Sequence, residues 1–307
     1  MSKTYDVIII GAGPAGYTAA IYTARASLST LMIAGDTPGG QLLLTGEVEN
    51  FPGFKDGITG PALMDEMKQQ AKRFGTEILS EFVTKVELDG KTKKVHVGKE
   101  VHSAKSVIIT TGASANWLGL ENEQRLMGQG ISACATCDAF FFRDKEVVVV
   151  GGGDVAVEEA MALTKFASKV YIVHRRDKLR ASKIMQQRAI DEPKIEFIWN
   201  TEVVDVKGKD MVEGVRLRNT QDSSEKDFAC QGMFVAIGHT PATKLFKDVL
   251  TLDEKGYIKT TDAVKTELAG VFAAGDVVDF HYRQAITAAG DGCRAALEAE
   301  HYLQDRD

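Results

Sequence analysis

The sequence predicts an α/β protein made of two Rossmann-like, three-layer (ββα) domains, the second inserted into the first. Two observations carry that expectation. A pattern of apolar strand, glycine-rich turn, helix and second apolar strand occurs twice, over residues 5–33 and again over residues 146–173. Far downstream, residues 270–274 form one more apolar strand, closed by Gly275-Asp276 and followed by a helical stretch over 284–303, which returns the chain to the first unit. A chain of 307 residues also exceeds what one hydrophobic core usually holds, so two domains are expected on length alone.

The strand at 5–10 is a nearly continuous apolar run, as a parallel strand buried on both faces requires. It leads into Gly11, a helix to about residue 26, and the strand at 30–33. Residues 77–107 alternate apolar and polar side chains in short runs broken by Asp89-Gly90, the pattern of antiparallel hairpin strands attached to the first domain. The second unit has its strand at 146–150, a turn at 151–156, a helix to about residue 166 and a strand at 169–173. Hairpin strands of its own follow over 202–215 and 216–228. The first domain is therefore residues 1–113 with 245–307, and the second is residues 114–244, with connectors near 113–117 and 238–244.

With 44% hydrophobic and 26% charged residues the composition is that of an ordinary globular protein. A net charge of −6 excludes an extended nucleic-acid surface, which needs clustered Lys and Arg. No apolar run approaches the ~18 residues of a membrane-spanning helix. The run at 7–10 passes straight into Gly11 and reads as a buried strand, not a signal peptide. Neither a nucleic-acid nor a membrane partner is expected, and the expected location is the cytoplasm, where stable disulfides are uncommon. A close pair of cysteines there is redox-active or metal-binding before it is a staple.

Gly11-Ala12-Gly13-Pro14-Ala15-Gly16 follows a strand and opens a helix, the arrangement of a dinucleotide site. Gly11 permits the tight turn, Gly13 lets a pyrophosphate approach, and Gly16 lets the helix pack close to the strand. The helix start then turns its unpaired N–H groups toward the phosphates. Asp36 stands near the ~20-residue spacing at which an acidic side chain meets the ribose. Ala34-Gly35 intervene after the strand, so a ribose ligand and a plain loop aspartate both stay open.

Gly151-Gly152-Gly153-Asp154-Val155-Ala156 is a second such turn, of the form GxGxxA. Its following strand ends in His174-Arg175-Arg176, with Arg180 soon after, where a site for NAD would carry Asp or Glu. Guanidinium groups bind a 2′-phosphate through charge-assisted, forked hydrogen bonds, whereas a carboxylate repels it. The second site is therefore expected to take NADPH; the rival is a solvated basic face at a helix start. A space-filling role would explain His174 equally well.

Cys134-Ala135-Thr136-Cys137-Asp138 lies just before the second unit's first strand. Two sulfurs so spaced can close a small disulfide ring on a helical turn, and such motifs often carry thiols of depressed pKa. A zinc site would need two more ligands, and no second CxxC or HxxxH is present. Cys230 and Cys293 are isolated and read as buried small apolar residues.

Ser132-Ala133-Cys134-Ala135-Thr136-Cys137-Asp138-Ala139-Phe140-Phe141 closely resembles the signature of low-molecular-weight thioredoxin reductases, the NADPH- and FAD-dependent class II pyridine nucleotide-disulfide oxidoreductases. Ala139 departs from it, since a glycine is usual there. The resemblance extends from residue 5 to about residue 303, and the short tail without cysteine fits the small enzymes, not the larger class with a C-terminal redox relay.

The resemblance implies FAD at the first site. Gly275 and Asp276 match the segment whose aspartate contacts the ribityl chain, and Arg283, Gln284 and Ala285 match the helix start that holds the flavin ring. Gly39-Gly40-Gln41-Leu42 and Asn50-Phe51-Pro52-Gly53 match flavin-contacting loops, and Thr111 and Gly112 complete the candidate set. It further implies that Cys137 is the sulfur nearer the flavin, that Cys134 attacks the partner disulfide, and that Asp138 is the acid/base; a helix cap is the plainer role for Asp138. The partner would be thioredoxin or a thioredoxin-like protein, and the assembly a homodimer. The NADPH domain would rotate between two orientations, with Gly112 and Gly238 suited to act as hinges.

Among rivals, an oxidase or a ferredoxin-fed reductase tends to lose the GxGxxA and arginine motifs, which are intact here. A thioredoxin-type ferredoxin–NADP reductase lacks the CxxC. A nucleotide sensor would need no dithiol.

Overall fold

The computed structural model describes residues 3–36 and 38–305. The chain divides into two compact units, crossing between Ser114 and Ala115 and back between His239 and Thr240. Its helices, in chain order, are α1 Pro14–Arg25, α2 Gly60–Arg73, α3 Glu121–Arg125, α4 Ala135–Asp138, α5 Asp154–Leu163, α6 Lys183–Asp191 and α7 Ala285–Gln304. Among the described residues no helix is long and apolar enough to cross a membrane.

In the first unit the sheet runs Glu77–Leu79, Thr30–Ile33, Thr4–Ile10, Glu100–Ile109, Lys93–Val97, Val83–Glu87, and Val271–Ala273 also pairs with Glu100–Ile109. The strand Thr4–Ile10 is parallel to both neighbours, with Ile10 opposite Ile33 on one side and Ile109 on the other. Three carboxyl ends therefore stop together beside Gly11, where open parallel sheets take their ligands.

Alternation along Thr4–Ile10 divides the core. Val7 and Ile9 pack with Leu63 of α2 and Ala295 of α7, while Ile8 and Ile10 pack with Val86, Val95 and Phe246. Val7, Ile8 and Ile9 are each 0% exposed, and each such burial stabilises by about 1.5–3 kcal/mol. The alternation over residues 77–107 predicts hairpin strands throughout. The first, Glu77–Leu79, instead pairs in parallel with Thr30–Ile33, because α2 carries the chain across the sheet before it and a helical crossover delivers a parallel strand.

The second unit holds a five-stranded parallel sheet in the order Ile131–Ser132, Gly232–Val235, Glu146–Val150, Lys169–Val173, Ile195–Ile198. Val147 and Val149 pack against Ala156 and Ala160 of α5, and Val148 and Val150 against Val203, Val215 and Leu217. The hairpin strands expected over 202–215 and 216–228 share a middle strand, forming one antiparallel meander of Thr201–Lys207, Gly214–Asn219 and Glu225–Ala229.

Candidate redox and dinucleotide sites

Cys134 and Cys137 are joined as a disulfide, their Cα atoms 5.3 Å apart. Cys134 is the extended N-cap of α4, which delivers Cys137 on the same turn. The Cys137 N–H donates to Cys134 Sγ at 3.2 Å and to its carbonyl at 3.2 Å, and the Asp138 N–H donates to that carbonyl at 3.1 Å.

Ser132 ends the edge strand just upstream. Its hydroxyl accepts the Cys134 N–H at 3.0 Å and also hydrogen-bonds the Asp138 carboxyl. Burial raises the pKa of Asp138, and the Ser132 hydrogen bond opposes that rise. A carboxyl in this balance holds its proton to higher pH than a solvated one, which suits a donor beside a leaving thiolate. Ser132 lies inside the signature, but its residue type alone announces no such role.

In the second glycine loop, a Cβ on Gly151 would fall 2.4 Å from the Ala236 carbonyl oxygen and 2.7 Å from the Ala156 Cβ, so the spacing needs a glycine and a small partner. Gly153 faces open space, with nothing within 4 Å of an added Cβ. That leaves room for a phosphate at the start of α5. The segment after Lys169–Val173 is laced onto this loop. The Gly152 carbonyl accepts from the Arg180 N–H at 2.6 Å and the Ala181 N–H at 3.1 Å, and the Asp154 carboxylate accepts from the Ser182 N–H at 2.8 Å.

Arg175, Arg176 and Arg180 are exposed beside the loop, and among the described residues none of them is ion-paired. Residues 174–182 form a loop that precedes α6, so the arginines do not stand on a helix face. His174 is only 6% exposed, and its Nε2 is buried with no protein partner. Burial first, then the charges of Arg176, Arg180 and Arg175, push its pKa below the usual value. The histidine therefore stands neutral in a cationic field.

In the first unit, Gly11 (φ +112°) would bring a Cβ within 2.3 Å of the Thr110 carbonyl oxygen, and Gly16 would bring one within 2.2 Å of the Gly11 carbonyl oxygen. Gly13 faces open space, and Pro14 is the first residue of α1. Thr110, which sequence passed over, donates its hydroxyl to the carbonyls of Ile10 at 3.0 Å and Gly11 at 3.1 Å. Neighbouring Thr111 turns instead to the Ala242 carbonyl at 2.9 Å.

Around this turn the structure gathers the distant candidates. A Cβ on Gly275 would lie 2.9 Å from the Ala15 Cβ, and one on Gly40 would lie 3.9 Å from the Gly13 Cα. Asn50 Nδ2 donates to Gln284 Oε1 at 3.3 Å, and Gln284 caps α7, whose first residue is Ala285. Arg283 takes a left-handed φ of +49°. The Asp279 carboxylate imposes that turn by accepting the N–H groups of His281, Tyr282 and Arg283 at 2.8–3.1 Å. Gln41 and Leu42 lie on the 3-10 turn Gly40–Leu44, Gln41 exposed and Leu42 half-buried; Asp36 is exposed beyond Thr30–Ile33.

Burial, and then the charge of Asp279, push the Asp276 carboxyl up to about 7, against the pull of Arg283. Among the described residues it accepts no hydrogen bond. A half-buried carboxyl left without donors fits a hydroxyl-bearing ligand such as a ribityl chain. Likewise, the open cradle at Gly13 fits a pyrophosphate, and the unpaired arginines fit a 2′-phosphate.

Gly112 (φ +70°) and Gly238 (φ +105°) flank the crossings between units in conformations that favour glycine. Of the remaining cysteines, Cys230 is buried and its thiol is pushed up to about 12 by burial. Cys293 is only half-buried, not the buried small apolar residue that sequence predicts, because it lies on the partly exposed flank of α7.

The profile of the pyridine nucleotide-disulphide oxidoreductase family matches residues 5–292. A thioredoxin reductase from Streptomyces clavuligerus is 56% identical over 306 residues, 99% of this chain and 95% of that protein. A bifunctional thioredoxin reductase/thioredoxin from Mycobacterium leprae is 52% identical over 303 residues, 98% of this chain and 66% of that protein. The crystal structure of thioredoxin reductase from Streptococcus pyogenes superposes with a TM-score of 0.96 at 44% identity, covering 99% of this chain and 100% of that one.

Proposed function

The chain belongs to the pyridine nucleotide-disulphide oxidoreductases, and from that premise we propose that it is an NADPH-dependent, FAD-containing thioredoxin-disulfide reductase. The observation that carries the proposal is the Cys134–Cys137 disulfide with Asp138 held beside it by Ser132. The unit that bears this pair carries the unpaired arginines as well, so it is the NADPH domain, and the first unit is the FAD domain.

The net reaction takes NADPH, a proton and a protein disulfide to NADP⁺ and two thiols. FAD, when bound, supplies two-electron transfer between the nicotinamide and the Cys134–Cys137 disulfide. It would be held by Gly11, Gly13, Pro14, Ala15, Gly16, Asp36, Gly40, Gln41, Leu42, Asn50, Thr111, Gly112, Gly275, Asp276, Arg283, Gln284 and Ala285. NADPH would be held by Gly151, Gly153, Asp154 and Ala156 at its pyrophosphate and by Arg175, Arg176 and Arg180 at its 2′-phosphate. His174 would back that glycine loop, its ring packed against Gly152.

Once the pair is reduced, the Cys134 thiolate attacks one sulfur of the partner disulfide, forming a mixed disulfide and expelling the partner's other sulfur. The Cys137 sulfur then attacks Cys134, re-forms the Cys134–Cys137 bond and frees the partner dithiol. Asp138 gives its proton to a leaving thiolate and recovers one on the return. Phe140 and Phe141, 52% and 36% exposed, follow the pair closely and offer an apolar landing surface for a protein partner. Thioredoxin or a thioredoxin-like protein is the partner of choice, since the Mycobacterium leprae relative carries the two names in one chain. The setting is the reducing cytoplasm, and the assembly is a homodimer.

The test is an anaerobic titration of the flavin-loaded protein with NADPH and, separately, NADH, followed by oxidised thioredoxin. Bleaching at much lower NADPH than NADH, with colour restored by thioredoxin, is the expected outcome. Bleaching without recovery would move the acceptor elsewhere, and no bleaching by either nucleotide would sink the NADPH assignment.

A further inference from the structure

We infer that Glu159 is a positioning residue for the redox pair: by holding the Ala135 N–H it keeps a carboxylate at the opening end of the Cys134–Cys137 turn, which makes the reduced pair a stronger reductant. The inference rests on Cys134–Cys137 being the redox centre.

Helix α4 is a single turn, and Ala135 is its first residue. The Ala135 N–H is one of the donors that a helix start leaves without an intrahelical partner. With Ala135 only 1% exposed, water does not reach it freely, and a buried donor left unmet costs about 1–3 kcal/mol. Glu159 supplies the acceptor from α5, reaching across to the Ala135 N–H. The helix that opens at the glycine loop is thus also the scaffold of the redox turn.

A neutral acceptor would satisfy that N–H as well, so the charge needs its own account. The start of a helical turn carries partial positive charge, which stabilises a thiolate placed there. Cys134 is so placed, with the Cys137 N–H directed at its sulfur at 3.2 Å. Two electrons and two protons convert the disulfide to the dithiol, and anything that stabilises the ionised sulfur draws the equilibrium toward the reduced form. A carboxylate at the same end does the reverse. It offsets the turn's positive end, leaves the Cys134 thiolate less stabilised, and keeps the dithiol ready to pass its electrons on. Asp138, bonded to Ser132, occupies the other end of the turn.

Glu159→Gln keeps an acceptor oxygen and the side-chain volume while removing the charge; Glu159→Ala removes both. The flavin-loaded proteins are equilibrated without oxygen in graded mixtures of reduced and oxidised dithiothreitol. Thiols in the peptide containing Cys134 and Cys137 are then trapped by alkylation and counted by mass spectrometry. The exchange is protein disulfide plus reduced dithiothreitol to protein dithiol plus oxidised dithiothreitol.

For Glu159→Gln the equilibrium constant is expected to move toward the dithiol by about three- to tenfold, which is about 15–30 mV at 29.6 mV per tenfold, with the thermal midpoint unchanged. Equal constants in the wild type and Glu159→Gln would overturn the inference. A shift confined to Glu159→Ala would overturn it too, since the hydrogen bond alone would then account for the effect. A wild-type pair that failed to exchange at all would instead sink the reading of Cys134–Cys137 as the redox centre.

Discussion

The imidazole of His174 lies against Gly152 so closely that a Cβ added to Gly152 would fall 2.3 Å from the ring's Cε1 and Nδ1. Gly152 also carries the carbonyl that receives the Arg180 and Ala181 N–H groups. One small residue thus seats both the histidine and the basic segment. Gly152→Ala is expected to push the ring and the 174–182 loop outward. Overpacking of this kind costs about 1–3 kcal/mol; borne by the NADPH-binding conformation of the loop, that is about a five- to 150-fold weaker NADPH affinity. Dithiothreitol exchange at Cys134–Cys137 should be unaffected. Flavin bleaching by NADPH reads the first effect and thiol trapping the second; an unchanged NADPH titration would show that the loop has slack.

Arg175, Arg176 and Arg180 stand exposed and unpaired among the described residues. Each charge-assisted hydrogen bond to a 2′-phosphate is worth about 1.5–3 kcal/mol. Arg175→Ala or Arg176→Ala should therefore raise the KM for NADPH by about ten- to a hundredfold and leave NADH nearly unaltered. Steady-state kinetics with both nucleotides checks this. A parallel loss with NADH would show that the arginines hold the loop and not the phosphate.

What could be read from sequence follows from what each feature leaves in the chain. The strands Glu146–Val150 and Lys169–Val173 were visible because burial on both faces demands unbroken apolar runs. Both glycine turns were visible because a Cβ at Gly11 or Gly151 has nowhere to go. The direction of Glu77–Leu79 leaves no such trace, because three residues carry no period and only the crossover through α2 determines it. Glu159 gave no signal, since a glutamate beside Glu158 in a helix reads as solvated surface until α4 packs on α5. Asp279 was likewise silent, because its three backbone partners are revealed only by the turn it makes. The glycine turns and the CxxC motif were thus readable in sequence, while the side chains that brace them were not.

Phe141 is 36% exposed just beyond the disulfide, and its ring meets Phe140 edge-on at 6.1 Å. Removing an apolar anchor from a protein interface commonly costs more than 1 kcal/mol. Phe141→Ala should raise the KM for oxidised thioredoxin by about five- to thirtyfold, with reduction of a small aromatic disulfide unchanged. If both substrates suffered alike, Phe141 would be a support of the turn and not a docking residue.

Burial pushes the Asp276 carboxyl up to about 7 in the flavin-free protein. Its folded pKa lies above the ordinary carboxyl value of 3.8, so the folded state binds the extra proton between those limits. Stability of the flavin-free form therefore falls as pH rises from about 4 through about 7. Asp276→Asn lacks this dependence. Between pH 4.5 and 7.5 the wild-type midpoint should drop by about 2–8 °C more than that of the variant. Parallel slopes in thermal melts of the two proteins would show that the carboxyl is solvated.

Asp138 offers the sharpest test of the mechanism, because burial and Ser132 act on it in opposite senses. Burial raises its pKa and the Ser132 hydrogen bond holds it down. The protonated donor is lost as pH rises through that raised value, so the rate of thioredoxin reduction should fall on the alkaline side of its pH profile. Asp138→Asn should lose about 10²–10⁴ in rate, the usual worth of a positioned general acid, and should lack that limb. Ser132→Ala removes the restraint and should shift the limb to higher pH, the reverse of what simple damage to the turn predicts. Profiles of kcat at saturating NADPH distinguish these cases. A Ser132→Ala limb that stayed put would separate the serine from the acid and leave it the Cys134 backbone to hold.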